Sequence, residues 1–379
     1  MARSLDWFRI AAACCAAWLS IGAARAEDLV IGQVAPLSGV LADTGKDMVL
    51  GVKVYFDYVN EHGGVHGKKL RLVVKDDGYK VPETVRLTQQ VIDQDNALAL
   101  IGFAGTGNVG ELLKQKILEK ADIALVAPYT GGENLRTPFN RNIFHIRASY
   151  SDEAEGIVDQ LMMLSMKRIA VMYQDDPFGK AGLAGVEAAL KKRHLQVAAI
   201  GAYPKNTDDV TAAVQAIAKA NPQAVVMISV NKSTAAFSKR IREVSTVAQL
   251  VNISVVNPKE IVRLIGAKDA RGIGIAQVMP FPYSATASVV REYQKAMKKY
   301  APAADLSYTS LEEFIGAKVL VEGLRRAGPN PTRGKVIEAL ETLKAFDVGD
   351  FTLNFSPTNH VGSHFVEITV IGQGGRLLR

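Results

Sequence analysis

Cysteine is almost absent from this chain. Its 379 residues include two, Cys14 and Cys15, both inside an apolar N-terminal run. Residues beyond Ala26 therefore have no thiol, which excludes a disulfide framework and a thiolate metal site there. Stability must come from burial, and about 350 residues suffice for a large core. Nucleophile motifs are missing as well. No Gly-x-Ser-x-Gly elbow occurs, and no glycine-rich loop ends in Gly-Lys-Ser/Thr, so neither a hydrolase elbow nor a P-loop is encoded. After Ile21 no long charge-free apolar stretch recurs, and the remainder reads as a soluble protein.

Strong charge of either sign is also lacking. The chain has 45 Lys+Arg against 38 Asp+Glu; residues 1–26 hold Arg3, Arg9, Arg25 and Asp6, leaving 42 against 37, a net +5. Basic clusters such as Lys191-Lys192-Arg193 and Lys298-Lys299 are scattered, with no interleaved aromatics. Nucleic acid is therefore not an expected partner. Of the six histidines, the His62/His66 and His360/His364 pairs have a helical ligand separation, but they sit beside Gly63-Gly64 and Gly362. No carboxylate pattern accompanies them, and no metal is expected. Asp76-Asp77 and Asp175-Asp176 are adjacent pairs. Neighbouring strand residues point to opposite faces, so such pairs serve as loop carboxylates or helix caps rather than as an acid–base dyad. An enzyme is not expected.

What is present begins at the N-terminus. Arg3 and Arg9 precede the apolar stretch Ile10–Ile21, and Ala24-Arg25-Ala26 supplies a small-x-small cleavage site. This is the tripartite pattern of a cleavable secretory signal peptide. The apolar run is too short to span a bilayer comfortably. Cys14 and Cys15 follow Ala11-Ala12-Ala13 too closely after Arg9 to suit lipid attachment.

Beyond it, short β-rich runs alternate with helical ones. The expected strands are Leu29–Val34, Leu70–Lys75, Ala97–Gly102, Ile123–Ala127, Arg168–Tyr173, Val197–Gly201, Ala224–Val230, Leu250–Val255 and Gly272–Val278. Gly45–Asn60 places Met48, Val52, Tyr55, Phe56 and Val59 on one helical face. Ser151 is the expected cap of a helix with Asp152 and Glu153 in its first turn and Ile157, Val158, Leu161 and Leu164 inward. Asp208–Ala220 repeats the pattern with Val210, Val214, Ile217 and Ala218. Such alternation predicts parallel sheets covered by helices on both faces, and the length predicts two domains. No Pro/Gly/Ser-rich linker separates them, so several short crossings are expected. Phe351–Phe355 and Ser363–Ile371 read as strands around a turn at Ser356-Pro357-Thr358-Asn359.

One glycine motif stands out. Gly105-x-Gly107-x-x-Gly110 follows a strand and opens a helix expected over Val109–Lys120. That is dinucleotide-binding spacing. However, it lies at the third strand–helix turn, and the next strand ends in Val126-Ala127-Pro128 with no acidic residue for a ribose. A dinucleotide is therefore disfavoured, and no cofactor is expected. A bare helix N-terminus suits a carboxylate equally well, with Thr106 adding a hydroxyl. The next strand end, Tyr129-Thr130-Gly131, belongs at the same crevice, because ligands sit beyond the carboxyl ends of strands in doubly wound sheets. In the second half Phe178 is placed to cover a ligand from the opposite side.

The order of these segments resembles a known family. Ile31–Gly39, Asn60-Glu-His-Gly-Gly64, Val65–Leu72, Lys75-Asp-Asp77, Ile101-Gly102, Ala127-Pro128, Phe144-His-Ile-Arg147, Phe178-Gly179 and Leu324–Gly328 are similar to stretches of the leucine/isoleucine/valine-type periplasmic binding proteins of ABC importers. The resemblance covers essentially the whole chain after residue 26. It implies the type I fold: two Rossmann-like α/β lobes with parallel-core sheets, three hinge crossings, and closure around a small amino acid or other small carboxylate. It implies lobe 1 over 27–149 plus 281–355 and lobe 2 over 150–280 plus 356–379. It implies a periplasmic monomer that works with a transporter permease; a sensor domain of the same fold is the alternative.

Carried over by this resemblance, the ligand-binding residues are Ala104, Gly105, Thr106 and Gly107, then Tyr129, Thr130 and Gly131 in lobe 1. Phe178, Asn231 and Ser254 follow in lobe 2, with Tyr150 and Tyr308 near the crossings. Two positions depart from the pattern. Gly131 stands where a hydroxyl residue is common. Ser254 stands where amino-acid binders commonly place a carboxylate against the ligand ammonium. Either the ligand lacks an α-amino group, or Asp175 or Asp176 supplies the counter-charge.

Overall fold

The computed structural model describes residues 27–244 and 249–379; the signal-peptide reading of residues 1–26 falls outside them. Fourteen strands are formed among the described residues: β1 (Leu29–Ala35), β2 (Leu70–Asp76), β3 (Ala99–Ile101), β4 (Leu125–Val126), β5 (Ile143–Phe144), β6 (Ile169–Gln174), β7 (Ile200–Tyr203), β8 (Ala224–Ile228), β9 (Gln249–Asn252), β10 (Gly274–Gln277), β11 (Phe346–Asp347), β12 (Thr352–Leu353), β13 (Glu367–Ile371) and β14 (Leu377–Leu378). The first sheet has the order β2-β1-β3-β4-β5 and is parallel throughout. The second has the order β14-β13-β10-β9-β8-β6-β7. Its core is parallel, and β13 joins β10 antiparallel at one edge.

Helices cover both faces of each sheet, as buried parallel strands require. Met48, Val52, Tyr55, Phe56 and Val59 of the Ala42–Glu61 helix are all buried, which matches the 3.6-residue stripe. That helix packs along the Tyr308–Ala327 helix, so residues late in the chain complete the core of the first sheet. The chain passes three times between the sheets, after β5, after β10 and before β13.

Local corrections concern ends and partners. Ser149, not Ser151, caps the Tyr150–Met163 helix, because Asp152 three residues on returns a bond to the Ser149 backbone and closes a capping box. Leu164 lies past that helix and is 53% exposed. The expected Val109–Lys120 helix starts earlier, at Thr106, and breaks into Thr106–Lys114 and Ile117–Lys120 where Lys116 adopts φ 55°. The Asp208–Ala220 run is helical over Thr211–Lys219. The Val197–Gly201 strand forms over Ile200–Tyr203. The two strands flanking Ser356–Asn359 do not pair with each other. β12 pairs with β11, and β13 with β10 and β14.

Candidate functional site

The carboxyl ends of both sheets face one seam. Nine residues enclose a cavity there: Leu41, Tyr79, Ala104, Gly105 and Tyr129 from the first-sheet side, Tyr150 at a crossing, and Phe178, Val230 and Val255 from the second. The same nine belong to one continuous apolar cluster across the seam, apart from Gly105. The cavity measures about 20 Å³, the room of about one water molecule. The lobes are shut, and any organic ligand requires them to part. A larger groove, about 520 Å³, runs past Arg136, His145 and His360. It contains no residue of the Gly105 loop, so the seam is the better candidate.

Gly105 has φ 98° and precedes the Thr106–Lys114 helix, whose N-terminus no side chain caps. A Cβ at Gly105 would lie 2.6 Å from the Tyr79 ring and 2.8 Å from Asn108 Oδ1. Glycine is required both by conformation and by space. Thr106 is fully buried, and its Oγ1 lies 2.7 Å from Thr130 Oγ1. Thr130 Oγ1 in turn accepts from the Gly132 N–H at 3.2 Å. Gly107 faces Pro177 of the opposite lobe, with 3.3 Å between the Pro177 ring and an ideal Cβ. Two helix N-termini therefore converge on the seam, since Pro177 opens the Pro177–Lys191 helix that carries Phe178. Asp176 caps that helix by accepting from Gly179 N–H at 3.1 Å.

Behind the cavity lies a charged cluster. Arg147, Glu153 and Glu312 are buried, with Arg147–Glu153 at 3.8 Å and Arg147–Glu312 at 3.6 Å. Ser254 donates its N–H to Glu153 at 2.7 Å and its hydroxyl at 2.9 Å, and it also meets Arg147. Ser254 is thus bound to a carboxylate that arrives from the Tyr150–Met163 helix. Burial raises the Glu153 carboxyl against the pull of Arg147. It lifts Glu312 to about 7 and pushes the Glu313 carboxyl well above the usual carboxylate range.

The expected residues divide accordingly. Ala104, Gly105, Tyr129, Tyr150 and Phe178 line the cavity. Thr106, Gly107, Thr130 and Gly131 stand directly behind or beside it; an ideal Cβ at Gly131 would come within 2.6 Å of the Tyr150 ring. Asn231 is an interlobe contact, donating to Thr44 Oγ1 at 3.4 Å. Ser254 is held in the charged cluster. Tyr308 turns elsewhere and donates to Glu367 at 3.2 Å. Asp175 pairs with Lys180 at the surface. Leu41, Tyr79, Val230 and Val255 line the cavity without having been expected. Among the described residues, no group of three or more His, Cys, Asp and Glu is arranged to hold a metal ion.

Two α/β lobes, three crossings and an apolar seam between two helix N-termini define a bilobal solute-binding protein. Residues 28–376 match the family described as periplasmic binding protein, and the chain belongs to that family, whose members bind substrates rather than transform them. A periplasmic location follows from the family. The chain is 22% identical over 354 residues to Leu/Ile/Val-binding protein homolog 3 of Brucella melitensis, covering 93% of this chain and 94% of the relative. A substrate-binding periplasmic protein from Ralstonia solanacearum superposes with a TM-score of 0.88 at 37% identity, over 93% of this chain and 99% of that one. A fatty acid ABC transporter substrate-binding protein from Thermomonospora curvata shares the fold, with a TM-score of 0.82 at 20% identity, covering 93% and 91%.

Proposed function

We propose that the protein captures a small carboxylate with an apolar body for an ABC importer by closing its two lobes on it, after export and cleavage past Ala26. The observation that carries this reading is the uncapped helix N-terminus at Thr106, which opens onto a cavity whose lining has no charged side chain. An anionic head group suits the helix end, and the aromatic and aliphatic walls suit the rest. The names of the relatives point the same way, because leucine, isoleucine, valine and a fatty acid all pair a carboxylate with an apolar body. The lobes comprise 27–149 with 281–355, and 150–280 with 356–379. Ala104, Gly105, Thr106, Gly107, Tyr129, Thr130, Tyr150 and Phe178 form the binding surface.

An α-ammonium has no ready partner in the wall. The nearby carboxylate of Glu153 already accepts from Ser254 twice and faces Arg147. A ligand without an amino group is favoured, since an unpaired buried charge costs several kcal/mol. Calorimetry on the purified protein tests this with L-leucine, 4-methylpentanoate, phenylacetate and NAD. Binding of a plain acid more tightly than L-leucine is expected. Saturable NAD binding with no response to any acid would overturn the reading.

A further inference from the structure

One basic residue of the second lobe reaches across the seam to a wall of the cavity. Lys205 follows β7, and its Nζ stands 3.8 Å from the centre of the Tyr79 ring. It donates to Asn108 Oδ1 at 2.9 Å and lies 3.4 Å from Asp176 of its own lobe. Its side chain is only 19% exposed, and a cation–π contact strengthens as water is excluded.

The receiving groups are fixed before Lys205 arrives. Asn108 donates to Thr84 Oγ1 at 2.8 Å, and Thr84 donates to Asp77. The Asn108 carbonyl oxygen is thereby turned outward. Tyr79 is held at φ 63° in a turn closed by Asp77, which accepts from the Tyr79 N–H at 2.9 Å. Gln174 of the second lobe donates to the Tyr79 hydroxyl at 3.3 Å. Other interlobe contacts exist, such as Asn257 with Asp47 at 3.2 Å and Lys259 with Asp305 at 2.7 Å, but these lie away from the cavity lining. Lys205 instead joins Tyr79, one aromatic wall, to Asp176, which caps the helix bearing Phe178, the other wall.

We propose that Lys205 is an interlobe clasp: its ammonium seats on Tyr79 and Asn108, draws the two aromatic walls together, and keeps a share of molecules closed before any ligand arrives. A pre-closed share matters because the closed cavity, about 20 Å³, admits no organic ligand: only parted molecules can load, and apparent affinity scales with that competent fraction. The proposal rests on the reading of hinge closure given above.

The test needs no ligand. Spin labels are placed on Gln89→Cys and Gln215→Cys, exposed positions on helices of opposite lobes, in a full chain carrying Cys14→Ser and Cys15→Ser. Pulsed electron–electron distance measurement then reads open and closed populations. The parent should show a closed population. Lys205→Gln should lower the closed-to-open ratio about tenfold, and Lys205→Arg, which keeps the cation over the ring, should retain most of it. A Lys205→Gln distribution that superposes on the parent overturns the proposal, as does a parent with no closed population. A wedge variant, Gly107→Trp, separates this failure from that of the parent reading. If the wedge lengthens the distance and Lys205→Gln does not, the clasp is wrong and the hinge stands. If neither variant moves the distance, both fall.

Discussion

The Arg147 guanidinium lies 4.8 Å from the centre of the Tyr129 ring, so a fully buried cation stands directly behind one wall of the interlobe cavity. Glu153 and Glu312 flank it from the other sides. Removing one member of such a cluster strands the remaining charges. Arg147→Met should therefore cost about 3–5 kcal/mol of stability. The triple variant Arg147→Met, Glu153→Gln, Glu312→Gln should be more stable than the single one, because it leaves no uncompensated charge. Urea unfolding of the set checks this. A single variant as stable as wild type would show that the cluster carries little of the lobe junction.

Thr106 contributes a hydroxyl at the helix end and shares one hydrogen with Thr130. Thr106→Ala should weaken binding of the best acid in the panel by more than tenfold, equivalent to about 1.4 kcal/mol. The melting temperature should fall by only a few degrees, because the one side-chain hydrogen bond lost is that to Thr130. Isothermal calorimetry together with a thermal melt checks the pair of outcomes. Unchanged affinity would remove Thr106 from the site.

Gly131 has no room for a side chain. An ideal Cβ there meets the Tyr150 ring at 2.6 Å and the Tyr150 backbone nitrogen at 2.8 Å. The ring can swing, but the backbone cannot without disturbing the Ser149 cap. Gly131→Ala should destabilise the protein by about 1–3 kcal/mol. Because Tyr150 lines the cavity, the variant should also bind less tightly. Chemical denaturation and calorimetry on the same preparation report both effects.

How far these features are legible in the sequence depends on how local they are. The Met48–Val59 stripe is set by helical periodicity alone, and every member is buried. The Ser149 cap needed one more inference, that Asp152 sits three residues beyond Ser149 and one beyond Ser151. β4 and β5 are two-residue strands held by their neighbours, too short for any period to show. The cavity was half legible, because Gly105 to Gly107 and Tyr129 to Gly131 follow strand ends, as sheet topology demands. Tyr79 was not, though Asp77-Gly78 marks the turn that aims it. Arg147, Glu153 and Glu312 are ordinary polar residues along the chain. Their pairing depends on a helix that begins more than 150 residues later, and no local pattern announces it.

Glu312 gives the cluster a pH signature. Burial lifts its carboxyl to about 7 from an ordinary 4.5, with Arg147 pulling the other way. The folded protein therefore holds a proton that the unfolded chain releases. Below about pH 4.5 both states are protonated, and Glu312 contributes no slope. Between about 4.5 and 7 the unfolded chain ionises first, so wild-type stability declines as pH rises, by up to roughly 1.4 kcal/mol per unit. Above about 7 the folded carboxyl also ionises and the slope vanishes. Glu312→Gln abolishes this term. The variant should gain stability relative to wild type on going from pH 5 to pH 8. Urea midpoints at both values, taken on both proteins, measure the difference. A constant gap between them would place the proton elsewhere in the cluster, with Glu153 the next residue to replace.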